Sequence, residues 1–235
     1  MSPIGFPVGL FYLWIQMIKG YNEKVKTNIE IKKLLHDSAI AYSSVCEKSV
    51  LFIYRKNSEN AEYHYYETYY EKGNFIHLVG CKSNEHIDAE KFYEKCLETC
   101  EIPAEYITYK ESRIVTSSKL SVFKSLFEFR SVKIYKMGKH DKINEKNNFQ
   151  MGLGNVSSNG VLGYTKYRGL PIPTTVLVNP LSEYSTSEGN VLATLCKSST
   201  NKYDTVIGCV KCGLKVEDLP KSIQDKIHFP NGIII

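Results

Sequence analysis

The chain has 235 residues, 43% hydrophobic and 23% charged, an ordinary globular composition with enough apolar content for a real core. That excludes a disordered, collagenous or coiled-coil chain as the whole answer, and the length suits one large domain. Lys and Arg number 30 against 25 Asp and Glu, and the formal charge of +5 permits nucleic acid without the footprint of a dedicated binder.

Residues 1–20 read as an apolar extension. Residues 3–18 carry no charge but are interrupted by Gly5, Pro7 and Gly9, which leaves 11 residues, 8–18. That is short of the ~20 needed to span a bilayer, and neither a basic leader nor a small-residue cleavage site accompanies it. The segment either docks on the domain or precedes a natural start at Met17. Residues 21–235 read as a single domain, with no membrane span expected. Seven cysteines, an odd number without a regular framework, indicate a reducing, cytoplasmic setting.

A first helix is predicted over 21–47, with Ile31, Leu34, Leu35, Ser38, Tyr42 and Val45 on one face. Residues 50–54 form a strand, 55–60 a polar turn, and the tyrosine-dense segment 62–71 a second strand of a hairpin. The run 75–81 is apolar on both faces and reads as a central, doubly covered strand. A helix over 88–99 is capped by Asp88, turns Phe92, Tyr93, Cys96 and Leu97 inward, and is broken by Pro103. A third helix starts near Ser117 and Ser118 and carries Leu120, Phe123, Leu126 and Phe127. After a basic linker, 138–148, come a strand over 149–156 and hairpins over 161–167 with 172–178 and over 191–198 with 205–212. A short helix within 216–227 closes the chain. Helices come first and strands last, with no βαβ rhythm: an α+β fold of N-terminal helices packed on an antiparallel sheet.

Familiar cofactor and catalytic motifs are absent. Cys209 and Cys212 form a lone Cys-x-x-Cys, and Cys96 and Cys100 lie one helical turn apart; packing explains them better than zinc. No metal and no cofactor is expected. His77, on the strand assigned to 75–81, shares a side with Phe75, Val79 and Cys81. Burial there lowers its pKa, so it is either a satisfied core histidine or a neutral base on a cleft floor. The other histidines sit in polar contexts and read as solvated. A basic tract over 113–142 includes Arg113, Lys119, Lys124, Arg130, Lys133 and Lys136. It either neutralises phosphates, with Phe123, Phe129 or Tyr135 stacking on bases, or is a solvated face. Thr116, Ser117, Ser118 and Lys119 at the expected helix start make an anion site or a plain cap. Tyr164, Thr165 and Lys166 across a hairpin from Thr174 present hydroxyls and an ammonium, or merely pair as strands do.

The run Phe75, Ile76, His77, Leu78, Val79, Gly80, followed by Phe92 and Tyr93, resembles the "F-[LI]-H-L-[TV]-G … FY" signature of phage-encoded PBECR domains. Those domains are named for likeness to barnase, EndoU, colicin-type and RelE-type nucleases. Leu162, Gly163 and Tyr164, then 172–177 and 191–195, also look like the family, and the likeness covers roughly residues 28–227. It implies a BECR-like α+β fold and a metal-independent endoribonuclease of a phage or mobile element, acting on RNA such as tRNA in the host cytoplasm. In that chemistry a base takes the 2′-hydroxyl proton and an acid protonates the leaving 5′-oxygen. The resemblance makes His77 the base or the acid and lets Lys119 with Lys166 hold the phosphate. Thr165 and Thr174 become hydrogen-bond donors, and Tyr164 a stacking or acid residue. The second acid–base partner is unassigned. The alternative is a non-catalytic accessory or inhibitor protein that binds RNA or a host protein complex, the latter through the tyrosines of 63–70.

Overall fold

The computed structural model describes residues 27–56, 62–129, 132–136, 151–155, 158–166, 169–178, 187–198, 201–209 and 213–234. Helix α1, Asn28–Ser43, opens on a capping box: Thr27 Oγ1 accepts from the Glu30 amide at 3.2 Å, and Glu30 Oε2 accepts from the Thr27 amide at 2.6 Å. Its buried face is Ile31, Leu35, Ser38, Ala39 and Tyr42. The predicted hairpin follows as β1, Ser49–Lys56, and β2, Tyr63–Tyr69. The predicted strand at 75–81 is instead a short helix, α2, Asn74–Leu78, which leads into a two-residue strand β3, Cys81–Lys82.

Helix α3, Ala89–Glu98, is capped by Asp88, whose side chain accepts from the Lys91 amide; Phe92, Tyr93 and Cys96 point inward. Leu97 does not: it is 37% exposed, one position off the buried stripe. A single 3-10 turn, Ala104–Tyr106, follows Pro103, and β4, Thr108–Tyr109, pairs with β3. Helix α4, Arg113–Phe127, begins earlier than expected because Ser112, not Ser117 or Ser118, is its cap and accepts from the Val115 amide.

The remainder is β. Strand β5, Val132–Lys136, lies within the tract read from sequence only as basic helix and linker. Then come β6, Met151–Asn155; β7, Gly160–Lys166; β8, Pro171–Val178; β9, Ser187–Cys196; and β10, Thr205–Cys209. The predicted hairpins β7–β8 and β9–β10 both form. Short strands β11, Leu214–Lys215, and β12, Ile233–Ile234, flank a one-turn helix α5, Lys221–Gln224.

One antiparallel sheet runs β2-β1-β9-β5-β6-β7-β8, and β10 also pairs with β9. Strand β9 gives one edge to β1 and divides the other, Ser187–Asn190 going to β5 and Ala193–Cys196 to β10. The sheet curls until its two ends meet. Thr68 Oγ1 of β2 donates to the Pro171 carbonyl of β8 at 2.6 Å, and the Tyr66 ring stands edge-on to Tyr164 at 5.6 Å.

Alternation along β1 separates two cores. Val50, Phe52 and Tyr54 join α1 to α4 in the main one, with Leu153, Leu162 and Val176 from the far strands. Leu51 and Ile53, with Ala193 and Leu195, face the other way and are covered by Tyr203, Leu214, Leu219, Ile223, Ile227 and Ile234. Among the described residues no helix is long and apolar enough to cross a membrane.

Candidate functional site

The helical turn at α2 reverses the expected setting of His77. Phe75, Ile76, Leu78 and Val79 are all buried, whereas His77 is exposed. A strand would have alternated its faces; a helix wedged between core elements buries every position but the one that points away. Gly80 ends the turn at φ +82°, and its amide donates to the His77 carbonyl at 3.1 Å. Only glycine enters this region without steric cost.

Helix α4 passes directly behind that glycine. Thr116 Oγ1 donates to the Gly80 carbonyl at 3.0 Å, and the Lys110 amide donates to the same oxygen at 2.9 Å. A Cβ on Gly80 would stand 3.0 Å from Thr116 Oγ1 and 3.2 Å from Lys119 Cδ. The stem of Lys119 therefore lies across the turn that carries His77. Lys119 is 8% exposed, and its ammonium is 3.8 Å from Glu111 Oε1.

Burial around the ring holds the His77 pKa below its ordinary value, and the Lys110 ammonium pushes the same way. Burial likewise lowers the pKa of Lys119; Glu111 opposes this shift and Lys110 adds to it. The Cys81 thiol, beside Lys119 and Thr116, is pushed up by burial to about 12, so it is not a nucleophile at neutral pH. An imidazole and an ammonium, each with its pKa lowered, thus lie at the turn and at the helix behind it, with Lys110 acting on both.

The remaining expected residues are dispersed. Thr174 lies on β8, which packs against α2, at an irregularity in the β7–β8 register, and its hydroxyl is 3.4 Å from the Gly163 carbonyl. Thr165 is half-buried, and Lys166 is exposed opposite Pro171 at the turn end of the hairpin. Tyr164 does not face solvent. It is 1% exposed and shares a 2.7 Å hydrogen bond with the Tyr70 hydroxyl, so its ring is closed to a nucleobase.

The basic tract is not one surface. Lys119 is buried, Lys124 exposed and Arg113 half-buried; Phe123 and Phe129 are core residues rather than stacking platforms. Lys133 and Lys136 fall on β5, while Arg130 and the linker lie outside the described residues. Thr116, Ser117 and Ser118 are buried within α4 rather than at its start; Thr116 is bonded to Gly80, and Ser118 Oγ donates to the Ile114 carbonyl at 3.0 Å. No free helix terminus remains there for an anion.

The tyrosine-rich strand β2 is half-buried rather than presented to solvent: Tyr63 and Tyr65 pack on one core, Tyr66 and Tyr70 on the other. Two histidines read as solvated are engaged instead, His36 Nδ1 with the Cys96 carbonyl at 2.8 Å and His64 stacked on Tyr54. Cys96 is buried and Cys100 exposed, and Cys212 lies outside the described residues. Among the described residues no group of three or more His, Cys, Asp and Glu side chains is placed to hold a metal ion. Sequence reasoning missed Lys110 and Glu111. They are ordinary polar residues before a cap, and only the return of β4 to the Gly80 turn brings them to the site.

A family model described as "phage-Barnase-EndoU-ColicinE5/D-RelE like nuclease4" (PBECR4) matches residues 34–202, a span that holds His77, Lys110, Glu111 and Lys119. No curated protein and no solved structure matches the chain.

Proposed function

The chain belongs to the PBECR4 family of nuclease-like domains, and from that premise we propose that it is an endoribonuclease that takes its acid and base from side chains and needs no metal. The Lys119 stem against Gly80, three residues past His77, and the charge of Lys110 acting on both His77 and Lys119 support this chemistry. His77, neutral at physiological pH, accepts the proton of a ribose 2′-hydroxyl. The freed oxygen attacks the adjacent phosphorus, and the bond from phosphorus to the 5′-oxygen breaks. Lys119 donates its proton to that leaving oxygen, which gives a 2′,3′-cyclic phosphate and a 5′-hydroxyl end. Its lowered pKa makes it a better donor than a solvated lysine, and it fills the place of the missing acid.

Lys110 meets a non-bridging oxygen of the phosphate as charge builds there. Thr174, on the strand behind α2, is a hydrogen-bond donor to the same group, and Thr165 and Lys166 contact the RNA further along the hairpin. The RNA is a host transcript such as tRNA.

Purified protein incubated with cellular RNA in EDTA tests this. We expect discrete fragments with cyclic phosphate ends. His77→Ala and Lys119→Met, both folded, should each cut at least about 100-fold more slowly. Intact RNA with the wild-type protein, or full activity in a folded His77→Ala variant, would overturn the assignment.

A further inference from the structure

We propose that Glu111 is a specificity-determining counter-ion: in the free protein its carboxylate holds the place against the Lys119 ammonium that the substrate phosphate takes in the complex. This rests on Lys119 meeting the scissile phosphate, as proposed above.

Two lysine–glutamate pairs in the molecule make the contrast. Glu67 has a side chain 18% exposed, grips Lys226 Nζ at 2.7 Å and takes the Tyr203 hydroxyl at 3.0 Å, the geometry of a structural ion pair. Glu111 is the opposite. Its side chain is 59% exposed and stands 3.8 Å from Lys119 Nζ, outside hydrogen-bonding range. Lys119 is the nearly buried partner, so the solvated carboxylate is the member free to leave. It sits on the short segment between β4 and the Ser112 cap, next to Lys110.

A carboxylate and a phosphate cannot both take one ammonium. A free phosphate has only that ammonium and its neighbour to gain, and Glu111 opposes it. An internucleotide phosphate arrives with ribose, base and flanking phosphates whose further contacts offset the displacement. Free phosphate and a terminal monoester carry about 1.5 to 2 negative charges at neutral pH and an internucleotide diester about one, so the carboxylate opposes the former more and Glu111 favours polynucleotide over free phosphate and mononucleotide.

The test compares Glu111→Gln with Glu128→Gln, which makes the same charge change at the far end of α4. Each is titrated with inorganic phosphate and observed by NMR. Glu111→Gln should bind phosphate about threefold tighter than Glu128→Gln, in line with release of one weak ion pair, and the gain should vanish in a Lys119→Met background. Equal affinities, or a gain that survives without Lys119, would remove the counter-ion role. RNA cleavage is scored separately. Cleavage that depends on His77 with equal phosphate affinities removes Glu111 and keeps the nuclease. Tighter phosphate binding in a protein that leaves RNA intact keeps Glu111 and removes the nuclease.

Discussion

Lys119 holds a charge where an apolar side chain would sit more comfortably. It is 8% exposed, and among the described residues its one ion-pair contact is the distant Glu111 carboxylate. An ammonium in that position costs stability that a function has to justify. Lys119→Met should therefore raise stability at pH 7 by roughly 1 kcal/mol while abolishing cleavage. The sign of the pH dependence follows from the lowered pKa. Below the folded value the ammonium is charged in both states and the penalty is complete. Between the folded value and the ordinary 10.5, the native state releases the proton first, so the wild-type protein gains on the variant as pH rises. Urea denaturation of both at pH 7 and pH 10 checks this; a gap that widens with pH would contradict it. Cleavage itself should fall on the acid side with a midpoint below 6.5, the ordinary histidine value, because His77 has to be neutral. Tyr164 gives the complementary case of a polar group with only a structural role. Tyr164→Phe leaves the buried Tyr70 hydroxyl without its 2.7 Å partner and should cost about 1–3 kcal/mol, whereas replacing both tyrosines by phenylalanine should cost less than either alone. A cleavage rate per folded molecule that dropped with Tyr164→Phe would return Tyr164 to the chemistry.

The element that decides the site is α2, and a single glycine sets it. Gly80→Ala asks a Cβ to adopt φ +82° and to stand 3.0 Å from Thr116 Oγ1 and 3.2 Å from the Lys119 stem. The backbone term and the contact add, so we expect a loss of more than about 1 kcal/mol. Cleavage should fall further than global unfolding explains, because Lys119 has to move. Chemical denaturation beside a cleavage assay under native conditions separates the two, and full activity in the alanine variant would show that the turn does not position Lys119. The strand read over 75–81 failed for a physical reason. A short apolar run has no polar positions to reveal its period, and length does not separate strand from helix there. One detail did point to the helix: Gly80, near the end of the run, in the place a glycine takes beyond a helix end. Elements with a strong pattern were legible, such as the Asp88 cap, the β1–β2 hairpin and both late hairpins. The exposure of His77 was not legible, because the strand reading put its side chain beside Phe75 and Val79 on a buried face. Lys110 was illegible because the β3–β4 pairing brings it to Gly80 from far along the chain, and Glu111 because nothing in the sequence shows that Lys119 on the following helix turns back towards it.

At the scale of the whole molecule, one face of the curled sheet is covered. The outer face of β1 and β9 is closed by the C-terminal segment, which Glu67 holds through Lys226 and Tyr203. On the helix side the basic residues do not line up. Lys119 turns into the core while Lys124 points outward from the same helix. These two charges, turned apart on one helix, do not share a track for a phosphate backbone, and the net charge of +5 adds only a diffuse field. In the proposed nuclease the ammonium groups of Lys110 and Lys119 are the phosphate contacts. For single-stranded RNA each neutralised phosphate contributes about −0.7 to the slope of log affinity against log salt. A catalytically dead His77→Ala protein should therefore show a slope of about −1.4, well short of a dedicated binder. Lys110→Ser should remove about one phosphate's share, and Lys124→Ser should leave the slope as it was. If Lys124→Ser instead flattens the slope, or the slope of the parent is several times steeper, RNA runs along the outer face of α4 and not across the turn that carries His77.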